Sequence, residues 1–218
     1  IFIDYGGNPS DIDKIKGIGS KYDIPILQDA AQSLGGMYKG KNIGANGKLS
    51  TVSFHMAKII TTIEGGAIFT NEKIIYNDIL TRRNIGEPKN KKYYHTHLGT
   101  NARMTELHAG IGLAQMKKLN KFVNSRIRIA KIYDSMINEL DLDISTLAQR
   151  EKGIKNSYFF YPILVKKIDK IAKNLRDKYR IDTRIAYPMP IYRQPLYRKN
   201  PSIYKKFDCP VAEEVTSK

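Results

Sequence analysis

Three short runs, each with a polar residue at or near its end, constrain the fold of this chain more than any other feature. Ile24-Pro25-Ile26-Leu27 runs into Gln28-Asp29, Leu49 to Phe54 carries Ser53 near its end, and Gly66-Ala67-Ile68-Phe69-Thr70 is bounded by Gly65 and Asn71. Runs this short, punctuated by glycine and polar residues, predict buried strands of a largely parallel sheet. Ahead of them, Ile12, Ile15, Ile18 and Tyr22 recur at helical spacing behind Pro9, with Ser10 as the predicted N-cap and Asp13 three residues on. Gly17 and Gly19 weaken that helix. Strand, helix and strand joined by short connections predict an α/β architecture.

From Met104 to Leu140, apolar residues recur every three or four positions, through Leu107, Ile111, Met116, Leu119, Val123, Ile127, Ala130, Tyr133 and Ile137. One unbroken helix over this stretch would be ~54 Å long at 1.5 Å per residue, too long for one small domain, so it is expected to bend or to bridge two domains. Thr105 before Glu106 predicts its cap, and Gly110 and Gly112 mark where it bends or where another backbone comes close. Beyond it, Tyr158 to Val165 reads as a strand, Asp169 to Tyr179 as a helix and Ile181 to Ile185 as another strand, with a loop enforced by Pro188, Pro190 and Pro195. The resulting boundaries are a large domain over 1–115, a connecting helix over 116–145 and a small α+β domain over 146–218.

The chain has 218 residues, 41% of them hydrophobic, with 37 Lys and Arg against 21 Asp and Glu and a formal net charge of +16. Such a charge suits nucleic acid, but the basic residues are scattered, as in Lys166-Lys167-Ile168-Asp169-Lys170, and build no single basic arm. An anionic small substrate is served by the same field. The lone Cys209 forbids an internal disulfide framework, and the longest apolar run, Tyr158 to Val165, is far below the ~20 residues of a membrane span. A cytoplasmic protein without a membrane span is expected. The chain opens on Ile1 within an apolar run and stops at Lys218, so both ends are expected to be cut.

Several motifs are discounted. Gly35 to Asn42 approaches a phosphate-binding glycine loop, but Asn42 replaces the Mg²⁺-binding hydroxyl and no helix signal follows Lys41. Gly17-Ile18-Gly19 has Tyr22 where a dinucleotide fingerprint needs its third glycine. His95-Thr96-His97 reads as a polar loop rather than a metal site, and Cys209 has nothing beside it that would make it a nucleophile.

One constellation remains: Asp29 at one strand end, Ser53 and Lys58 around another, then Glu64-Gly65-Gly66. Ligands gather at strand ends in open α/β sheets, a lysine there can form a Schiff base, and an acid can pair with a cofactor pyridinium. Taken singly, Asp29 also reads as a cap and Lys58 as one more solvated lysine.

At these residues the sequence resembles the DegT/DnrJ/EryC1/StrS family of pyridoxal-phosphate-dependent nucleotide-sugar aminotransferases. Four ordered blocks carry the resemblance: Ile24 to Ser33; Ser53 to Lys58 with Thr61 to Ala67; Leu98 to Leu107; and Tyr187 to Pro195. It implies the aspartate-aminotransferase-like fold type I, here a partial large domain with a mostly parallel sheet plus a small C-terminal α+β domain. It also implies that Asp29 holds the cofactor's pyridine nitrogen protonated, Gln32 sits by the ring hydroxyl, Ser53 binds the phosphate and Lys58 forms the internal aldimine and then shuttles protons. Asn101 would reach the neighbouring subunit's site near the cofactor phosphate, which implies a homodimer, and Arg103, Tyr187 and Tyr192 would meet substrate. Glutamate is the implied amino donor and a nucleotide-linked keto-deoxysugar the acceptor, in the supply of sugars for polysaccharides. Thr100 and Ile63 stand where the family more often has an aromatic residue and a glycine, and Tyr192 lies near a usual histidine position. The family's amino-terminal portion, expected to be missing here, supplies phosphate-binding amides and a ring-stacking aromatic residue. The competing readings are a non-catalytic or regulatory homologue, a sugar dehydratase of the same family, which carries histidine in place of Lys58, and a basic nucleic-acid binder.

Overall fold

The computed structural model describes residues 1–140, 143–146, 152–199 and 209–216. In chain order the elements are β1 (Phe2–Ile3), α1 (Ile12–Lys21), β2 (Leu27–Asp29), β3 (Met37–Tyr38), β4 (Lys41–Asn42), β5 (Leu49–Ser53), β6 (Gly66–Thr70), α2 (Lys73–Arg83), α3 (Glu106–Met116) and α4 (Leu119–Glu139). Then follow β7 (Ile144–Thr146), β8 (Ile154–Lys155), β9 (Ile163–Val165), α5 (Ile168–Tyr179), α6 (Pro195–Arg198) and α7 (Pro210–Thr216). Two compact units result: Ile1–Met136 with Ala148–Tyr161, and Ile137–Leu147 with Pro162–Lys218. Of the range 146–218 expected to form the small domain, residues 147–151, 200–208 and 217–218 lie outside the described residues.

The first unit is built on a sheet of order β1-β2-β5-β6. β1, β2 and β5 run parallel, with Asp29 opposite both Ile3 and Thr51, and β6 returns antiparallel to β5. The strand expected from Ile24 starts only at Leu27 and extends through Asp29, because Pro25 has no N–H to give to a ladder. α1 is capped one residue later than expected: Asp11, not Ser10, accepts from the Lys14 N–H at 3.2 Å. Ser10 instead donates its backbone N–H to Asp4 Oδ1 at 2.8 Å and its hydroxyl to the Ile3 carbonyl at 3.1 Å. The core joins Ile12 of α1 to Ala30, Tyr38, Ile43 and Val52, all buried. Burying Ile12 alone stabilises the unit by about 2 kcal/mol.

β3 and β4 form a hairpin on the two-residue turn Lys39–Gly40, both with positive φ, and β8 adds to the other edge of β3. The apparent glycine-rich phosphate loop is therefore a β-turn. The long apolar stripe is two helices, α3 and α4, broken at Lys117–Lys118. Thr105 caps α3, its hydroxyl accepting from the His108 N–H at 3.2 Å. α3 runs straight through Gly110 and Gly112, and at Gly112 a Cβ would lie 2.9 Å from Thr62 Cγ2. Gly112 thus marks a close approach between helix and loop, not a bend.

In the second unit, β7 and β9 pair antiparallel, α5 follows β9, and Lys166 bridges Asp143 at 2.8 Å. The strand expected from Tyr158 is only Ile163–Val165; Tyr158 has φ of 49°, incompatible with a strand, and residues 158–160 belong to the first unit. Ile181 to Ile185 makes no ladder among the described residues. Arg180, just before it, takes a left-handed conformation that closes α5, with its N–H reaching the Arg176 and Leu175 carbonyls. Of the three prolines expected in the loop, Pro195 opens α6 instead, a position where its missing N–H costs nothing. No helix among the described residues is long and apolar enough to cross a membrane.

Candidate active site

The parallel strands point their carboxyl ends the same way, so Asp29 closes β2 next to Thr51 while Ser53 closes β5 two residues further on. Between β5 and β6 the chain makes a loop of residues 54–65. The loop is tied at its neck by Phe54 N–H to the Gly65 carbonyl at 2.9 Å and by Thr62 N–H to the Phe54 carbonyl at 2.9 Å. Inside it, Ser53 Oγ accepts from the His55 N–H at 3.3 Å, and the Lys58 N–H reaches the His55 carbonyl at 2.9 Å. Gly65 has φ of 151°, and a Cβ there would stand 2.5 Å from Thr62 Oγ1, so the neck closes only on glycine.

This loop brings Lys58 into a pocket lined by Ala31, Gln32, Leu34, Ser53, Ile59 and Phe159. Three of the residues singled out in the sequence, Gln32, Ser53 and Lys58, therefore meet. Asp29 is half-buried at the end of β2, its Oδ1 accepting from the Ala31 N–H at 3.0 Å, a turn that starts the segment carrying Gln32. Gln32 Oε1 accepts from the Gly6 N–H at 2.7 Å, which leaves the amide NH₂ as its donor end. Burial pushes the Lys58 ammonium below the usual lysine range, against the opposing attraction of the Asp29 carboxylate.

Three contributors escape the sequence reading. Phe159 places its ring centroid 4.8 Å from Lys58 Nζ, and Arg126 Nη1 donates to the Tyr158 and Phe159 carbonyls, each at 3.0 Å. Both contacts join segments far apart in the chain, and no local periodicity reports them. A third is Asp4, fully buried behind β2. Its Oδ2 accepts from Gln28 Nε2 at 2.7 Å and Ser33 Oγ at 3.1 Å, so it holds the neighbours of Asp29 and Gln32.

The remaining sequence candidates lie elsewhere. Asn101 and Arg103 are exposed and do not line the pocket; Asn101 bridges to Asn84, and Arg103 Nη1 donates to Asn84 Oδ1 at 2.7 Å. Tyr187 and Tyr192 are in the second unit. Tyr187 is exposed with φ of 60°. Tyr192 donates its hydroxyl to Glu213 Oε1 at 2.8 Å, and desolvation together with that carboxylate pushes the phenol up to about 12. Arg193 grips the same carboxylate through Nε and Nη2. In the discounted histidine loop, His97 faces Asp78 at 3.3 Å and His95 faces Glu87 at 3.8 Å. Among the described residues no group of three or more potential metal ligands comes together.

The model of the DegT/DnrJ/EryC1/StrS aminotransferase family matches residues 1–218. The chain belongs to this family. Among its curated relatives, GDP-perosamine synthase of Escherichia coli O157:H7 is 32% identical over 212 residues, covering 96% of this chain and 55% of that protein. The UDP-4-amino-4,6-dideoxy-N-acetyl-beta-L-altrosamine transaminase of Campylobacter jejuni is 36% identical over 165 residues, covering 75% of this chain and 43% of that protein. Among solved structures, Helicobacter pylori PseC, an aminotransferase involved in the biosynthesis of pseudoaminic acid, superposes with a TM-score of 0.87 at 28% identity, over 99% of this chain and 58% of that one. DesV of S. venezuelae gives 0.88 at 24% identity. The fold is therefore that of these DegT-family aminotransferases, the aspartate-aminotransferase-like fold type I, present in part. The chain spans about half the length of the curated relatives it matches.

Proposed function

We propose that this chain is the lysine-bearing portion of a pyridoxal-phosphate-dependent aminotransferase that moves an amino group from glutamate to a nucleotide-linked keto-deoxysugar. The observation that carries the reading is the pocket in which Lys58, Gln32 and Ser53 meet beside the carboxylate of Asp29. That donor set fits pyridoxal phosphate. Lys58 is an amine whose neutral, nucleophilic form is favoured by burial, Ser53 is a hydroxyl donor for an anion, and Asp29 is a carboxylate for a protonated ring nitrogen.

When bound, pyridoxal phosphate supplies an aldehyde for the amino group and an electron-accepting ring. The residues of this chain do the rest. Lys58 would hold the cofactor through its amine and, once free, would take the proton from the donor's Cα and return it, acting as general base and then acid. Asp29 would hold a proton on the ring nitrogen, which is what lets the ring accept electrons. Ser53 would donate to the phosphate, and the Gln32 amide would donate beside the ring hydroxyl. Asn101 and Arg103, exposed in this chain, are assigned to the neighbouring subunit's site in a cytoplasmic homodimer. Tyr187 and Tyr192 are assigned to the sugar substrate, with Tyr192 first having to exchange its bond to Glu213. The scattered positive charge favours a substrate bearing a diphosphate.

Borohydride reduction of the full-length protein with pyridoxal phosphate, followed by peptide mass analysis, is expected to leave a pyridoxyl group on Lys58. A label on another lysine, or none, overturns the assignment.

A further inference from the structure

The segment of residues 157–160 is fastened on two sides. On one side the Ser157 N–H reaches the Gly7 carbonyl at 3.0 Å, and Ser157 Oγ reaches the Gly7 carbonyl at 3.3 Å and the Gln32 carbonyl at 3.5 Å. On the other, the half-buried guanidinium of Arg126, on α4, donates to two successive carbonyls, Tyr158 and Phe159, both at 3.0 Å. Between these fastenings Tyr158 takes a φ of 49°, a conformation that a bulky residue keeps only when its surroundings impose it. The left-handed residue turns the chain so that Phe159 presents its ring to Lys58.

Resting on the reading of Lys58 given above, we infer that Arg126 is a positioning residue for it: by clamping the Tyr158 and Phe159 carbonyls, Arg126 holds the Phe159 ring over the Lys58 ammonium and keeps water from that side. The guanidinium is suited to this because it is always charged and offers several N–H donors in a rigid plane. The ring acts on the amine in two opposed ways. Its face attracts the ammonium, while its bulk removes the water that would solvate the charge. The charged group facing Lys58 from β2 is Asp29, which favours the ammonium; Gln32, Ser53 and Phe159 around it carry no charge. Desolvation is the largest influence on Lys58, so loosening the wall makes the amine harder to deprotonate.

The test is competitive acylation of the cofactor-free full chain over a range of pH, with the reactivity of Lys58 read against exposed Lys14 by peptide mass analysis. Arg126→Ala and Phe159→Ala are expected to lower the reactivity of Lys58 at pH 8 by roughly threefold or more, the effect of half a pKa unit, with Lys14 unchanged. Arg126→Lys, which retains a cationic donor, is expected to restore part of it. Phe159→Leu keeps the bulk without the aromatic face and is expected to leave Lys58 at least as reactive as in the wild type. Unchanged Lys58 reactivity in a folded Arg126→Ala, or a change shared equally by Lys14, overturns the inference. If Arg126→Ala does not fold, the pair Phe159→Ala and Phe159→Leu decides: identical, unshifted Lys58 profiles overturn it. Pyridoxyl labelling of Lys58 in the wild type is scored separately. A label on Lys58 with no response to Arg126 defeats this inference alone, and a response without a label defeats the aminotransferase reading alone.

Discussion

Ser53 and Gly66 face each other on the last rung of the β5–β6 ladder, so the loop that carries Lys58 leaves and re-enters the sheet at one place. The rung ties the hydroxyl expected to meet phosphate to the glycine pair that lets the loop close. A lysine held this way owes its position to the sheet rather than to its own side-chain preferences.

Replacing Lys58 by Arg keeps the charge but removes an amine that can lose its proton. On the proposed reaction, turnover of glutamate and a nucleotide-linked keto sugar by the full-length protein is expected to fall at least ~10³-fold. Steady-state assays of the variant against wild type measure it; a loss below tenfold speaks against the assigned role.

Asp29→Asn removes the negative charge that favours the Lys58 ammonium. The free amine is then expected to form at lower pH than in the wild type, opposite in sign to the loosened aromatic wall. Acylation profiles of Lys58 read it directly. Pyridoxal-phosphate affinity is expected to fall in the same variant, measured by equilibrium dialysis, because the carboxylate proposed to face the ring nitrogen is gone.

Much of this arrangement was legible in the residues. Asp29 follows an apolar run and Ser53 closes a short β-prone one, and a polar group at a strand's carboxyl end reports both the strand and the ligand side of the sheet. The break at Lys117–Lys118 was not legible, since α3 and α4 continue one apolar spacing across it. Tyr158 to Val165 misled for a related reason: its apolar run is continuous, but half of it is drawn out of any ladder by Arg126 and by the left-handed Tyr158. Phe159 became visible only through contacts between distant segments. Nor does a single sequence distinguish Asp11 from Ser10 as a cap; the choice falls to Asp11 because the buried Asp4 carboxylate takes the Ser10 N–H.

Asp4 links pH to stability. Burial raises its carboxyl above the usual 3.8, outweighing the hydrogen bonds from Ser10, Gln28 and Ser33. The folded state therefore holds the proton more tightly than the unfolded one. Its contribution is full below pH 3.8 and is lost as pH rises through the higher folded value. Asp4→Ala leaves the Gln28 amide and the Ser10 N–H without this acceptor and the Ser33 hydroxyl with only the Ala30 carbonyl at 3.4 Å, at a cost of about 3 kcal/mol in urea unfolding. The gap between wild type and variant is expected to narrow from acid toward neutral pH; a gap that widens refutes the assignment.

Ile63 sits in the Lys58 loop with φ of 72° and is half exposed. A β-branched residue in that conformation carries about 1–2 kcal/mol of strain, against a smaller entropic cost for glycine. Ile63→Gly is expected to gain about 0.5–1 kcal/mol, and Gly65→Ala, facing Thr62 Oγ1, to lose at least about 1 kcal/mol. Thermal unfolding of both variants checks the pair, and a destabilised Ile63→Gly counts against the strain.

The first compact unit takes back residues 148–161 after the chain has already entered the second. During synthesis, β3 waits with one edge unmatched until Ile154 and Lys155 leave the ribosome, and the aromatic wall beside Lys58 arrives a few residues later still. Folding of this unit is thus not a run from amino to carboxyl end: its lysine is synthesised well before the segment that encloses it, which closes the unit as a clasp.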